Sequence, residues 1–204
     1  MLSTLVKISN VTNLSDARYC AGMGVEWIGF SIDEEDPNYV SPKKFNEIKS
    51  WLVGVQVLVE TAKSIEDIQI ALTEYAVDGI QVPYTSPTST IKEQTDKVLF
   101  VTINVDTTAP AEIGKILEEN EANYYVLDSE VETELTDEWK EVIIKHSQNA
   151  QLLLGFGVEA SADIQEEVAA LNLAGIALKG SEEIRPGFKD FGALMDILEQ
   201  LEEE

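Results

Sequence analysis

Short apolar runs alternate along the chain with longer amphipathic stretches. The runs are rich in β-branched residues and nearly continuous in apolarity, which is typical of parallel strands that are buried on both faces. Eight runs share this character: Leu5–Ile8, Trp27–Ile32, Val53–Val59, Gly79–Val82, Val98–Ile103, Tyr124–Leu127, Leu152–Leu154 and Ile176–Leu178. The pattern therefore predicts eight buried strands with helices between them.

Signals for helix starts lie in the stretches between the runs. They are Ser or Asn residues that can cap a helix, or a Pro near the first helical turn. These positions are Asn13 or Ser15, Ser41 with Pro42, Ser64, Pro110 and Ser161. A last helix is expected from about Phe191. Its end, at 202–204, is expected to fray because three glutamates oppose the helix macrodipole there.

Eight strand–helix repeats in 204 residues predict an α/β fold. The specific prediction is one (β/α)8 barrel domain of eight parallel strands over residues 1–204, at the lower end of the size range of that fold. A doubly wound open sheet is the alternative. It usually has fewer strands and would leave two or three of the runs unexplained.

Charge is the most unusual feature of the composition. The chain has 14 basic and 38 acidic residues, a formal net charge of −24. Such a surface repels nucleic-acid phosphates and anionic membranes, so neither is an expected partner. An anionic small substrate would need a local positive site to offset this field. No apolar run approaches the roughly 18 residues of a membrane span.

The chain contains one cysteine and one histidine. Cys20 cannot form an internal disulfide, and the first residues lack the features of a signal peptide, so a reducing, cytoplasmic location is expected. His146 is far from Cys20 in the sequence, and this pair has no metal-ligand spacing. With no dinucleotide or Walker loop either, no metal or cofactor is expected. Oligomeric state is not indicated.

In a (β/α)8 barrel the functional residues stand at the carboxyl ends of the strands. The positions that this rule selects are Ser9, Ser31, Gln81, Asp106, Asp128, Gly155, Gly157 and Lys179. Together they form the candidate site.

Several segments at these strand ends match one enzyme family in register. They are Val6-Lys-Ile-Ser-Asn-Val-Thr-Asn-Leu-Ser-Asp-Ala, Gly29-Phe30, Asp36-Pro-Asn-Tyr-Val-Ser-Pro42, Val53-Gly54-Val55, Asp78-Gly-Ile-Gln-Val82, Tyr125-Val-Leu-Asp-Ser129, Leu154-Gly-Phe-Gly157 and Arg185-Pro-Gly-Phe-Lys-Asp190. In this order they resemble the phosphoribosylanthranilate isomerases along nearly the whole chain. Each match is short, and their common order makes the resemblance specific.

The resemblance implies an Amadori rearrangement of an aminoaldose phosphate to an aminoketose, in tryptophan biosynthesis. It implies that Asp128 is the general acid. Ser9 stands where the family has its cysteine base, and a hydroxyl is far less acidic than a thiol. Lys7 matches a family lysine and is either an active-site group or a buried partner of Asp128.

Other positions follow the family in part. Gln81 is expected to bind substrate, and Asn38 stands where the family has an arginine that could meet the anthranilate side. The residues expected to bind phosphate are Gly155, Gly157, Lys179, Gly180 and Ser181, with Arg185 and Lys189 as further positive charges. Pro83 and Tyr84 replace His-Gly. An acidic stretch, 130–137, replaces the glycine-rich turn of the family.

Two functions remain open from the sequence. One is an active isomerase with a small phosphorylated substrate, which Lys7, Gln81 and Asp128 favour. The other is a barrel of the same descent that has lost this reaction and binds a phosphorylated metabolite or a protein partner. The serine at position 9, the lost arginine and the acidic stretch favour the second. A different reaction on the same scaffold is also possible, because one fold hosts many chemistries.

Overall fold

The computed structural model describes residues 1–131, 133–158, 161, 163–180, 183–185, 188–189 and 192–202. Eight parallel strands close into a barrel in the order in which they occur in the sequence. They are β1 (Leu5–Ser9), β2 (Trp27–Ser31), β3 (Gln56–Glu60), β4 (Gly79–Pro83), β5 (Val98–Asn104), β6 (Tyr124–Asp128), β7 (Leu152–Gly155) and β8 (Gly175–Lys179). The predicted (β/α)8 barrel is confirmed.

Helices connect the strands on the outside. They are α1 (Leu14–Gly22), α2 (Pro42–Lys49), α3 (Ile65–Glu74), α4 (Thr88–Gln94), α5 (Ile113–Glu119), α6 (Asp137–Ser147), α7 (Ile164–Ala170) and α8 (Gly192–Gln200). A 3₁₀ turn, Pro110–Glu112, precedes α5, and a small antiparallel pair, β9 (Glu183–Arg185) and β10 (Phe188–Lys189), precedes α8.

The helix-start predictions are confirmed at Asn13, Ser41 and Ser64. Each side chain accepts a hydrogen bond from a backbone N–H of its first turn. The prediction at Ser161 is wrong. Asp163 caps α7, because its carboxylate accepts the Glu166 N–H at 2.9 Å, which places the helix start two residues later.

One boundary differs from the sequence prediction for a physical reason. Strand β3 begins at Gln56 rather than Val53, because Gly54 adopts a φ of +80° and Val53 faces solvent. At the other end of the chain, Leu201 is fully buried and Glu202 forms an isolated β-bridge with Leu2. Residues 203–204, the rest of the end that is expected to fray, lie outside the described residues.

The barrel interior is built from alternate residues of each strand, because side chains along a strand point to opposite faces. Its amino-terminal part is apolar and holds Trp27, Leu58, Phe100, Val126, Leu153 and Ala177. The Trp27 and Phe100 rings meet edge to face at 5.0 Å. Aromatic side chains therefore fill this end of the barrel, and the polar residues that share the interior face lie nearer the carboxyl end.

Candidate functional site

A cavity of about 660 Å³ opens at the carboxyl ends of the strands. Interior-facing polar residues line it: Ser9, Ser31, Glu60, Gln81, Thr102, Asp128 and Lys179. Loop residues Asp33, Asp36, Asn38 and Glu130 complete its rim. A second hollow, of about 490 Å³, lies near the amino-terminal ends of the strands and has no titratable side chain in its lining. The carboxyl-end cavity is therefore the candidate site.

Lys7 lies below the floor of this cavity and is fully buried. Its ammonium group pairs with Glu60, with an Nζ–Oε1 distance of 2.5 Å, and also donates a hydrogen bond to Ser9 Oγ. The second oxygen of Glu60 accepts the Asn10 N–H at 3.2 Å. The prediction that Lys7 pairs with Asp128 is therefore wrong. Its ion-pair partner is Glu60, at the end of β3, and Asp128 pairs with Lys179 instead.

Gly29 makes room for the Glu60 carboxylate. A Cβ atom placed on Gly29 would overlap Glu60 Oε1 and lie 2.5 Å from its Cδ. Sequence reasoning missed Glu60, although the signal was available. The residue is the acid that directly follows the apolar part of β3, and the strand-end rule that selected Asp128 also applies to it.

Asp128 ends β6 and is paired with Lys179, which ends β8. The Lys179 Nζ lies 3.2 Å from Asp128 Oδ2 and donates a second hydrogen bond to the Ser129 carbonyl at 2.7 Å. Burial raises the pKa of Asp128, and the nearby Lys179 and Lys7 only partly oppose that effect. A raised pKa favours the protonated form of a carboxyl group, which is the form that can donate a proton.

Gln81 and Thr102 supply polar atoms without partners. Gln81 Oε1 and Thr102 Oγ1 are buried and make no hydrogen bond within the described part of the chain. Both residues line the cavity. Buried polar atoms normally have hydrogen-bond partners, and a molecule bound in the cavity would supply partners for these two.

Asp106 organises the loop that follows β6. Its carboxylate accepts hydrogen bonds from Ser129 Oγ and Thr133 Oγ1, both at 2.6 Å, and from the Glu130 N–H at 2.7 Å. These hydrogen bonds lower the pKa of Asp106, and the bond from Ser129 has the largest effect. The residue was predicted as a strand-end site residue. In the structure it holds the acidic loop in place, and it is not part of the cavity lining.

The positions predicted to bind phosphate are spread over different environments. A Cβ on Gly157, which has a φ of +68°, would lie 2.8 Å from the Leu135 side chain. The Gly180 N–H already donates to the Ser9 carbonyl at 2.8 Å. Gly155 packs against the Leu127 carbonyl. Ser181 lies outside the described residues, as do the side chains of Arg185 and Lys189.

Phe156 lies between Gly155 and Gly157, and Asn38 stands where the family has an arginine. Phe156 is buried and its ring meets Trp139 edge to face at 5.5 Å. Asn38 lines the cavity, and its N–H donates to Asp36 Oδ1 at 2.7 Å. The position that is arginine in the family thus stands beside a carboxylate here.

The remaining chemical candidates lie away from the cavity. Cys20 is buried in α1, and His146 is half-buried in α6 on the outside of the barrel, against Gly114. Among the described residues, no group of three or more His, Cys, Asp or Glu could hold a metal ion. In the same part of the chain, no helix is long and apolar enough to cross a membrane.

Comparisons with known proteins agree with this architecture. No family model matches the chain. One curated relative, the N-(5'-phosphoribosyl)anthranilate isomerase of Aquifex aeolicus, is 42% identical over 52 residues, which is 26% of this chain and 26% of that protein. The matched part thus spans about a quarter of the relative.

Solved structures match over almost the full length. The phosphoribosylanthranilate isomerase of Pyrococcus furiosus aligns with a TM-score of 0.75 and 16% identity, covering 97% of this chain and 98% of that one. The enzyme of Thermotoga maritima aligns with a TM-score of 0.76 and 18% identity, covering 97% and 96%. A phosphoribosylanthranilate isomerase has also been solved in complex with reduced 1-(o-carboxyphenylamino)-1-deoxyribulose 5-phosphate, and that structure aligns with a TM-score of 0.77 and 18% identity. The chain therefore has the fold of the phosphoribosylanthranilate isomerases, and its predicted resemblance to that family is confirmed.

Proposed function

We propose that this chain is a barrel of the phosphoribosylanthranilate isomerase type that binds a small polar molecule at its mouth and no longer performs the Amadori rearrangement. One observation carries the proposal. Among the described residues, each of the two lysines at the cavity is held in an ion pair by a carboxylate of the cavity, Lys7 by Glu60 and Lys179 by Asp128. Neither is a free cation for an anionic substrate.

The charge balance of the cavity supports the same conclusion. Counting only the part of the chain that the structure describes, its lining contains five carboxylates, and Lys179 together with the underlying Lys7 supplies two positive charges. Phosphoribosylanthranilate carries a phosphate and a carboxylate. Placing these charges among unpaired carboxylates costs free energy, because like charges repel strongly where water is partly excluded.

The surroundings of Ser9, which stands where the family has its base, support the proposal that the reaction has been lost. Ser9 Oγ accepts a hydrogen bond from the Lys7 ammonium group, which is itself paired with Glu60. A serine needs a neighbouring base to take its proton before it can act as one. An ammonium group cannot take that proton, so Ser9 is not an activated base in this arrangement.

One backbone donor of the expected phosphate site is also engaged. The Gly180 N–H donates to the Ser9 carbonyl at 2.8 Å. Phosphate binding to a backbone turn requires several free N–H groups that point at one place. Phosphate binding at these positions stays a prediction from the sequence.

A retained isomerase is the second candidate, and Asp128 favours it. This carboxyl group stands at the end of β6 with a raised pKa, which suits a general acid. In that case Glu60 takes the role of base instead of Ser9, because it brings a carboxylate to the cavity from the end of β3. A cytoplasmic location remains an expectation under either function.

The test is the loss of phosphoribosylanthranilate fluorescence with freshly generated substrate and folded protein, next to the Thermotoga maritima enzyme as a positive control. We expect no turnover above the uncatalysed rate, and none in the Ser9→Cys variant, because Lys7, Lys179 and the Gly180 N–H would still be engaged. Turnover that Asp128→Asn abolishes would contradict the proposal and establish the isomerase.

A further inference from the structure

The cavity rim carries carboxylates that no cation neutralises within the described residues. Asp33 accepts hydrogen bonds from Thr61 Oγ1 at 2.5 Å and from the Ala62 N–H at 2.9 Å, and Asp36 accepts one from the Asn38 N–H. Neither is in an ion pair with a described lysine or arginine. Both therefore present negative charge to whatever enters the cavity.

The cavity wall adds hydrogen-bonding groups that have no partner. Gln81 Oε1 and Thr102 Oγ1 are buried without one, as stated above. Ser31 is only 2% exposed and brings a further hydroxyl group to the cavity lining. An amide oxygen without a donor is satisfied by an O–H or N–H group of a ligand.

These two groups of residues occupy different parts of the mouth. Asp33 and Asp36 follow β2, whereas Gln81 and Thr102 belong to β4 and β5. Asp128 and Glu130, at the end of β6, lie across the barrel, because β2 and β6 are four strands apart in a closed ring of eight. A ligand in the cavity therefore meets the carboxylates of Asp33 and Asp36 on the β2 side and the amide and hydroxyl groups of Gln81 and Thr102 on the β4–β5 side.

We infer that the cavity binds a small polyhydroxyl compound that carries an ammonium group, that is, a ligand of the amino sugar class without phosphate. The ammonium group pairs with Asp36 and Asp33, and the hydroxyl groups donate to Gln81 Oε1 and exchange hydrogen bonds with Ser31 and Thr102. This inference rests on the proposed function, since it assigns a ligand class to the same cavity.

The charge of the whole chain acts in the same direction. With a formal net charge of −24, the field around the protein attracts cations and repels phosphate esters before they reach the cavity. This long-range attraction is not specific for the site. A test must therefore separate binding at the mouth from general attraction to an acidic surface.

The probes are glucosamine, glucose and glucose 6-phosphate, measured by isothermal titration calorimetry at fixed ionic strength. We expect saturable binding of glucosamine with one site, weaker binding of glucose and no binding of glucose 6-phosphate. The order reports the charge preference of the cavity, because the three compounds share one ring scaffold.

The variants are Asp36→Asn in the cavity and Asp196→Asn on the exposed surface of α8. Each removes one negative charge by the same substitution, and an asparagine oxygen at position 36 can still accept the Asn38 N–H. We expect Asp36→Asn to weaken glucosamine binding by about two- to fivefold, the range of a single exposed charge pair. The Asp196→Asn variant should bind as the wild type does.

Three results would overturn the inference: no glucosamine binding to folded protein, glucose 6-phosphate binding at least as tight as glucosamine binding, or an equal effect of the two variants. The fluorescence assay on the same preparation separates the two proposals. Isomerase turnover refutes the proposed function. Absence of turnover together with a failed glucosamine titration refutes only the ligand class.

Discussion

Lys7 and Glu60 form an ion pair inside the barrel, with 2.5 Å between Nζ and Oε1 and no exposure of the lysine side chain. Glu60 lines the candidate cavity, and Lys7 lies beneath it. Burial of an unpaired ammonium group is expensive, so the position of Lys7 depends on the carboxylate beside it. The same pair also determines what Ser9 can do, because Lys7 donates to its hydroxyl.

The first prediction concerns this pair. Glu60→Gln should lower the free energy of unfolding by about 3 to 5 kcal/mol, because it leaves a buried lysine without its counter-charge. Urea denaturation at pH 7 measures the change. The control is Glu119→Gln, which removes the exposed Lys115–Glu119 pair and should change stability by less than about 0.5 kcal/mol.

A double substitution distinguishes lost charge balance from lost packing. Lys7→Met with Glu60→Leu should recover most of the stability lost by Glu60→Gln, because an apolar pair of similar size carries no desolvation cost. A Glu60→Gln variant as stable as the wild type would show that the ion pair does not stabilise the barrel.

The second prediction concerns Gly29, whose missing Cβ makes room for the Glu60 carboxylate. Gly29→Ala should destabilise the protein by about 1 to 3 kcal/mol, the range for an overpacked interior. Thermal and urea unfolding measure it. Gly22→Ala is the matched control, because a Cβ there meets nothing within 4 Å, and it should be neutral or slightly stabilising.

A double-mutant cycle tests whether Glu60 is the cause. In a Glu60→Ala background, Gly29→Ala should cost less than it does in the wild type, because the overlapping carboxylate is gone. Equal costs in the two backgrounds would mean that another contact makes position 29 intolerant.

The third prediction follows from the raised pKa of Asp128. Because the folded protein holds this proton more tightly than the unfolded chain, Asp128 contributes stability at low pH. That contribution is lost as the pH rises through the window between the unfolded and the folded pKa. Carboxyl-carbon NMR should give a titration midpoint above the ordinary value for aspartate. In Lys179→Met it should rise further, because the opposing positive charge is removed.

Asp106 provides the internal comparison in the same titration. Its pKa is lowered by the hydrogen bonds from Ser129 and Thr133, so its midpoint should fall below the ordinary value. Two midpoints on the same side of that value would contradict these causes, namely burial for the pKa of Asp128 and hydrogen bonding for the pKa of Asp106.

The fourth prediction concerns the loop that Asp106 holds. Asp106→Ala removes the acceptor of the Glu130 N–H and of two hydroxyl groups. Hydrogen exchange at Glu130 should accelerate by about tenfold or more, since a hydrogen bond to a charged acceptor is worth about 1.5 to 3 kcal/mol. Because the pKa of Asp106 is lowered, the same loosening should appear in the wild type as the pH falls through that folded pKa.

Exchange at amides of β7, such as Leu153, serves as the control, because they lie in the barrel ladder and not in the loop. These amides should exchange at the wild-type rate in Asp106→Ala. Acceleration at both places would mean that the substitution loosens the barrel rather than the loop.

Much of the barrel was predictable from local patterns. Each of the eight apolar runs became a strand, because a segment that is apolar on both faces can be buried only between a helix layer and the barrel interior. The caps at Asn13, Ser41 and Ser64 were predictable because a cap depends on a few neighbouring residues. Strand β3 was predicted too long, because the turn at Gly54 ends the extended run in a way that apolarity does not reveal.

The sequence by itself determined the order of elements and the residues at the strand ends, because these depend on apolar runs and on neighbours in the chain. Only the tertiary structure decided which charges meet. Lys7 and Glu60 are 53 positions apart, and Asp128 and Lys179 are 51 apart. Ion pairing depends on distances of a few ångströms across the closed barrel. Barrel closure and strand register set those distances. They place Glu60, rather than Asp128, beside Lys7.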